Sequence, residues 1–426
     1  MERNDPRYQA YVEILKEELI PAMGCTEPIA LAYAAAKARE VLGVLPDSVQ
    51  LQVSGSIIKN VKSVIVPNTG HLKGMEAAVA AGIIAGSAEK ELEVISEVSE
   101  EKKSAIRDYL QTVPITIEHT EQGHVFDIVV TERCGQDYAR VRIADYHTNI
   151  CRIEKNGTVL YEVPLLDETV QADARADRSL LNMQDIWDFA ETADLRDVAD
   201  LLERQIRYNN AIAEEGLLGD YGANIGRVLL TTYGNDVSNR AKAKAAAGSD
   251  ARMNGCELPV IINSGSGNQG ITCSVPLIEY AKELHSGKEK LSRALIISNL
   301  VAIHEKTGIG TLSAYCGAVS AGAGAGAGIV YLCGDGYQAA IHTVVNALAI
   351  VSGIVCDGAK ASCAAKIASS VDAALLGYNM YKCNQEFKGG DGIVMKDIET
   401  TIKGIGRLGK DGMRQTNEEI IRLMMS

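Results

Sequence analysis

The sequence predicts an α+β protein: a small antiparallel α/β domain inserted after an N-terminal helix pair, followed by a larger all-α helical domain. Three observations carry this. Between Asp47 and Pro164 short runs of alternating polarity recur, as in VRIADYH and TVLYEV, the mark of half-buried strands. After Asp177 the period turns helical and stays so. A chain of 426 residues also exceeds what one hydrophobic core usually supports. The expected divisions are residues 1–45, N-terminal helices packing on the helical domain; 46–166, the α+β domain; and 167–426, the all-α domain.

In chain order, Asp5-Pro6 is an N-cap followed by proline at the first helical position. The helix YQAYVEILKEELI runs to Pro21, which would kink it. PAMGCTEP follows, then a second helix, IALAYAAAKAREVLG, ending at Gly43. Thr26 suits its N-cap, with Glu27 and Pro28 in the first turn. Cys25 then stands just outside a helix N-terminus, where the dipole favours a thiolate. The other reading is a cysteine that merely fills the kink.

The β-like runs are SVQLQVSGSI, KSVIVP, VPITIEHT, HVFDIVVTE, YARVRIADYHTNICRIEKNG and TVLYEVP. Two helices interrupt them, GMEAAVAAGIIAG and an acidic amphipathic run near Glu89–Thr112. Pro67-Asn68-Thr69-Gly70 and His147-Thr148-Asn149 are polar enough to face a ligand, although Asn and Gly are ordinary turn residues. A loop rich in Asp and Glu (Asp167–Asp177) leads into the helical half. There, Gly310 to Gly334 is uncharged and long enough to span a bilayer. Its Ala-Gly alternation and lack of basic flanks read instead as one or two buried helices packed through glycine.

Pro259–Asn263 followed by Gly265-x-Gly267-x-x-Gly270 matches the dinucleotide fingerprint literally. A second strand ending in an acid should follow about 20 residues on. No acid occurs between Leu291 and Glu305, and Pro276 interrupts the would-be helix early. The loop Asn263–Asn268 reads better as N–H groups and hydroxyls poised for a small anion such as a carboxylate.

A net charge of −13 argues against a nucleic-acid partner. The opening MERNDPRYQAYVEIL is charged and amphipathic rather than a signal peptide. The ten cysteines form no recognisable disulfide framework, which fits a reducing cytoplasm. Three of them, Cys316, Cys356 and Cys363, are crowded by small residues, so backbone can approach whatever the sulfurs hold. Thiolates are the usual ligands of iron–sulfur clusters. Buried cysteines also serve as plain small hydrophobes, and no CxxC pair or ferredoxin-type run occurs.

PAMGCTEP, the SGSGNQG loop, CGAVSAG and CDGAKxxC, in that order, resemble the L-cysteine desulfidase family, itself related to the α chain of the iron–sulfur L-serine dehydratases. The resemblance spans essentially the whole chain. It implies a [4Fe-4S] cluster on Cys316, Cys356 and Cys363, with Cys25 as catalytic base. The activity implied is β-elimination of an L-amino acid, L-cysteine or alternatively L-serine. The substrate carboxylate is expected near Ser264, Ser266 and Asn268, with Asn68 nearby. Thr26, Glu27, His147 and Lys360 are further candidate contacts. Cys134, Cys151, Cys256, Cys273, Cys333 and Cys383 match no ligand position and are expected to be structural. Two rivals remain: a pyridoxal-phosphate lyase using Lys360, and a non-catalytic amino-acid-binding protein. No membrane partner is expected, and a homodimer is compatible with these features.

Overall fold

The computed structural model describes residues 1–120, 124–165, 176–310 and 312–425. Its first half contains α1 (Pro6–Glu18), β1 (Pro21–Met23), α2 (Thr26–Leu42), β2 (Ser48–Ser54), α3 (Gly55–Val61), α4 (Gly74–Ala85) and α5 (Glu100–Thr112). Strands β3 (Ile115–Thr120), β4 (Asp127–Cys134), β5 (Asp137–Ala144), β6 (Ile150–Lys155) and β7 (Thr158–Glu162) complete it. The second half contains α6 (Met183–Thr192), α7 (Ala199–Leu218), α8 (Ile225–Tyr233), α9 (Val237–Met253), β8 (Pro259–Ile261) and α10 (Gly267–Glu283). It continues through α11 (Lys288–Ile309), α12 (Gly317–Cys333), α13 (Tyr337–Val351), α14 (Ser362–Lys382), α15 (Ile398–Arg407) and α16 (Arg414–Met425).

The α+β class is what the sequence pattern calls for. Strand order in the six-stranded sheet is β3-β2-β4-β5-β6-β7. The sheet is mixed rather than wholly antiparallel: β2 and β3 run parallel, Val49 opposite Ile115, because α3 to α5 form the crossover between them. Leu51, Val53, Ile128, Val130, Val141 and Ile143 are all buried. Pairing sets Leu51 opposite Val130 and Val130 opposite Val141, so these residues share one face. Each such side chain contributes about 1.5–3 kcal/mol by leaving water. Helix α2 packs on β4 and β5, and α4 lies against α2. The second N-terminal helix therefore packs mainly on the sheet.

In the helical half α12 is the central rod, touched by α10, α11, α13 and α14. Its Ala-Gly alternation has a steric cause. A Cβ on Gly324 would come within 2.5 Å of the Ser298 carbonyl on α11. One on Gly322 would come within 2.8 Å of the Ser370 backbone on α14. Glycine thus lets two neighbouring backbones close on α12 from different sides, as a glycine-packed buried helix requires. Among the described residues no helix is long and apolar enough to cross a membrane.

Several local expectations are corrected. Strand β2 stops at Ser54, and GSI opens α3. KSVIVP forms turns with a single bridge between Ile65 and Lys73 instead of a strand. The acidic run splits into a 3-10 turn (Ala88–Glu93) and α5. Helix α10 continues through Pro276. Residues 166–175 of the acidic loop lie outside the described residues. The helical half is not purely helical, since β8 pairs antiparallel with β1 as a two-stranded sheet. That pairing gives the glycine fingerprint no parallel sheet, so the dinucleotide reading has no frame to stand on.

Candidate active site

The β1–β8 pair brings PAMGC and the SGSGNQG loop together. Ile262 N–H donates to Ile20 O at 3.0 Å, and the Thr26 hydroxyl donates to Gly265 O at 2.9 Å. Thr26 is already the first helical residue of α2; the N-cap is Cys25 itself, extended at φ −75°, ψ 133°. Cys25 is buried, and its thiol donates to Glu27 Oε2 at 3.0 Å. Burial and then the Glu27 charge push that thiol well above its ordinary pKa, although Arg252 pulls the other way. That direction opposes the thiolate which a helix N-terminus favours. Glu27 behaves oppositely: burial would raise it, but His147 and the Cys25 thiol outweigh burial and keep it ionised.

Cys316 is the residue immediately before α12, and Cys363 sits in the first turn of α14. Cys356 lies between α13 and α14, its N–H donating to Ala314 O at 2.6 Å. A cavity of about 110 Å³ is lined by all three, together with Cys25, Thr26, Glu27, Ser266 and Asn268. Gly317, Ala318, Gly358 and Ala359 line it too, which leaves room beside the sulfurs. Gly358 is needed where it stands: its φ is +92°, and a Cβ would meet Lys59 O at 2.2 Å.

Four helices start at this cavity: α2, α10, α12 and α14. Not one of their N-cap side chains bonds the first-turn N–H groups. Orphan donors and the positive ends of four dipoles therefore face one space. Buried cations add to them. Arg252 and Lys306 line the cavity, and Lys59 reaches Cys356 O, Ser313 O and, at 2.7 Å, Asn417 Oδ1. Burial lowers Lys306 to about 8, against the opposing pull of Cys356 and Cys316. Such a space is built for anions.

A cluster held by three thiolates fits it. Burial and the neighbouring Cys356 push the Cys316 thiol up to about 12, and burial with Cys356 raises Cys363. The three sulfurs are therefore mutual neighbours, and a bound cationic centre is what would draw off their protons. Among the described residues no three His, Cys, Asp or Glu side chains are grouped tightly enough for a single metal ion. Thiolates on a cluster each take a different iron, so they stand further apart than ligands of one ion.

The other expected contacts separate. His147 and Ser264 line an adjoining cavity of about 440 Å³, which shares Lys306 with the first. His147 packs edge-on to Phe126, with Nε2 3.9 Å from Glu27 Oε1, so Cys25, Glu27 and His147 run from one cavity toward the other. Asn68 lines neither cavity: at φ 58° it is a turn residue donating to Ile95 O at 2.8 Å. Lys360 lines neither cavity and is tied to the Asp357 carboxylate at 2.6 Å. Sequence reasoning missed Arg252, Lys59, Asn60, Gln269 and Lys306. Each lies on a helix, Gln269 within the SGSGNQG motif and the others in unremarkable local patterns, and only the fold shows the burial of each.

Comparison with known proteins gives the family. The family model for the serine dehydratase alpha chain matches residues 89–422, which include the three cavity cysteines and Arg252 but not Cys25. Full-length relatives extend over the N-terminal part as well. A UPF0597 protein of Desulfitobacterium hafniense is 61% identical over 100% of this chain and 99% of its own length. One from Lachnoclostridium phytofermentans is 52% identical over 98% of this chain and 100% of its own. One from Treponema denticola is 47% identical over the whole of both chains. By the extent of the family match and the whole-length identity to these relatives, the chain belongs to the serine dehydratase alpha chain family.

Proposed function

We propose that the protein is a [4Fe-4S]-dependent lyase that β-eliminates an L-amino acid, with L-cysteine preferred, giving pyruvate, ammonia and sulfide. The observation that carries this is the convergence of Cys25 with Cys316, Cys356 and Cys363 on one cavity ringed by four helix starts. A cluster bound by the three cysteines would supply an open iron as Lewis acid toward the β-substituent. The chain's own residues handle the proton. Cys25 becomes a base only after losing its proton, and Glu27 Oε2 at 3.0 Å is placed to take it. His147 stands behind Glu27, its Nε2 3.9 Å from Oε1. The Cys25 sulfur then accepts the substrate α-proton as the β-substituent departs with its bonding pair. The aminoacrylate product adds water to yield pyruvate and ammonia.

L-Serine is the second reading, favoured by the family match. A pyridoxal-phosphate lyase on Lys360 is disfavoured, because that lysine is held by Asp357 outside both cavities. The test is anaerobic purification with iron and acid-labile sulfide assays, then pyruvate release from a panel of L-amino acids. Pyruvate from L-cysteine faster than from L-serine is expected. Full iron content with no pyruvate from any amino acid would sink the lyase, and a yellow protein bleached by borohydride would restore the pyridoxal rival.

A further inference from the structure

Arg252, at the end of α9, is 2% exposed. Its guanidinium makes one hydrogen bond, Nη1 to Asn268 Oδ1 at 3.1 Å, while Nε and Nη2 have no partner. Among the described residues no ion pair engages it. The group is also fixed in place: a Cβ on Gly267 would come within 2.3 Å of Nε and 2.7 Å of Cζ, so only glycine lets it lie against the start of α10. A buried, unpaired, immobile guanidinium is costly to fold around unless an anion completes it. Its planar fork suits a carboxylate.

The same cavity wall holds the complementary half. Asn60 and Gln269 line it, and the side-chain oxygens Asn60 Oδ1 and Gln269 Oε1 are buried without a donor. The orientation of Asn60 is set, because its Nδ2 donates to Glu27 Oε1 at 2.9 Å. Cys25 shares that carboxylate through its other oxygen.

We propose that Arg252 receives the α-carboxylate of the substrate and that Asn60 Oδ1, with Gln269 Oε1, receives its α-ammonium, so that the cavity is specific for a free zwitterionic α-amino acid. This rests on the lyase reading of the same site and adds the residues that orient the substrate. The two charged ends, held at these two places, fix the α-carbon beside the Cys25 sulfur, which lines the same cavity. Peptides, amides and decarboxylated amines lack one end and are rejected, since the site's own buried groups would stay unpaired.

The test reads binding, not turnover. Anaerobically prepared holoprotein is titrated by thermal shift with L-alanine, which has no leaving group, and with L-alaninamide and propionate. L-Alanine should bind about 10²-fold more tightly than either truncated analogue, as expected for losing one partner of a buried charge pair. In Arg252→Gln with full iron content, L-alanine should weaken by about 10²-fold and lose its advantage over L-alaninamide. Arg252→Lys, which keeps charge without the fork, should recover part of it. Equal binding of L-alanine and L-alaninamide by the unaltered protein overturns the proposal without any variant. So does Arg252→Gln that still discriminates, including one that loses iron while discriminating, which would make Arg252 a counter-charge to the cluster. A protein that forms no pyruvate yet binds L-alanine through Arg252 sinks the lyase reading and leaves the anchor standing.

Discussion

The two cavities that meet at Lys306 are furnished with similar residue types and use them differently. In the larger one, Arg178 bonds Glu17 at 2.9 Å and Glu18 at 2.6 Å, so its charges are spent on each other. In the smaller one, Arg252 has two idle nitrogens and Asn60 and Gln269 each have an idle oxygen. The larger cavity has about 440 Å³ and the smaller about 110 Å³, yet the smaller is lined by Asn60, Arg252 and Gln269, each with buried polar atoms lacking a partner, against His147 Nε2 in the larger. Volume alone is a poor guide to chemistry. Buried groups whose partners are missing from the chain point to a partner that comes from outside.

The strongest way to break this comparison is to remove the sulfurs. Cys316→Ser, Cys356→Ser or Cys363→Ser should each abolish iron binding and activity in anaerobic preparations. Cys333→Ala should leave both intact, because Cys333 is exposed at the far end of α12. Iron and sulfide assays decide it; equal loss in both sets would mean the ligands are wrongly assigned. With only three thiolates, iron should also leak away in air and return on anaerobic reconstitution.

Cys25→Ser comes next. A hydroxyl keeps the size but is far less acidic, so turnover and α-deuterium exchange should fall together by about 10²–10⁴-fold while iron stays bound. Loss of iron would instead make Cys25 a fourth resting ligand.

How far the sequence could see depends on whether a residue's role is local. The cap of α1, the glycine packing of α12 and the alternation of β5 are set within a few residues, and all are legible. Cys25, Cys316, Cys356 and Cys363 stand in unusual strings, and all four line one cavity. Asn68 and Lys360 lie outside both cavities, and a polar side chain near a glycine turn looks alike in sequence whether it meets a ligand or the next carbonyl. Arg252 and Asn60 were invisible for the opposite reason. Nothing in SDARMNG or SIIKNV says that the side chain is buried, because its burial is made by α10 and α2 from elsewhere in the chain. Burial of charge is a tertiary fact.

Glu27→Gln tests the proton path with a smaller effect. Glu27 raises the Cys25 thiol, so removing its charge lowers that pKa. The active form is the thiolate, hence the rate should rise with pH in both proteins, with the rise displaced to lower pH in the variant. The plateau should drop about 10²-fold, because the proton acceptor is gone. A pH–rate profile of unchanged position would remove Glu27 from the mechanism.

The smallest effect on activity is expected in the larger cavity, and it sharpens the contrast most. Arg178→Gln takes one partner from each of Glu17 and Glu18 in a half-buried place, between the surface pairs that are worth little and the buried pairs whose breakage is severe. A stability loss of about 2 kcal/mol is expected, read by anaerobic denaturant unfolding. The KM and kcat should stay within about two-fold, because no group in the smaller cavity loses a partner. Arg252→Gln should show the reverse pattern. It removes a buried charge that the chain itself leaves unpaired, so stability should change by less than about 1 kcal/mol while substrate binding collapses. If Arg178→Gln instead raised KM as much as Arg252→Gln does, the two cavities would be one binding site. The distinction between charges spent on the fold and charges held for a ligand would then fail.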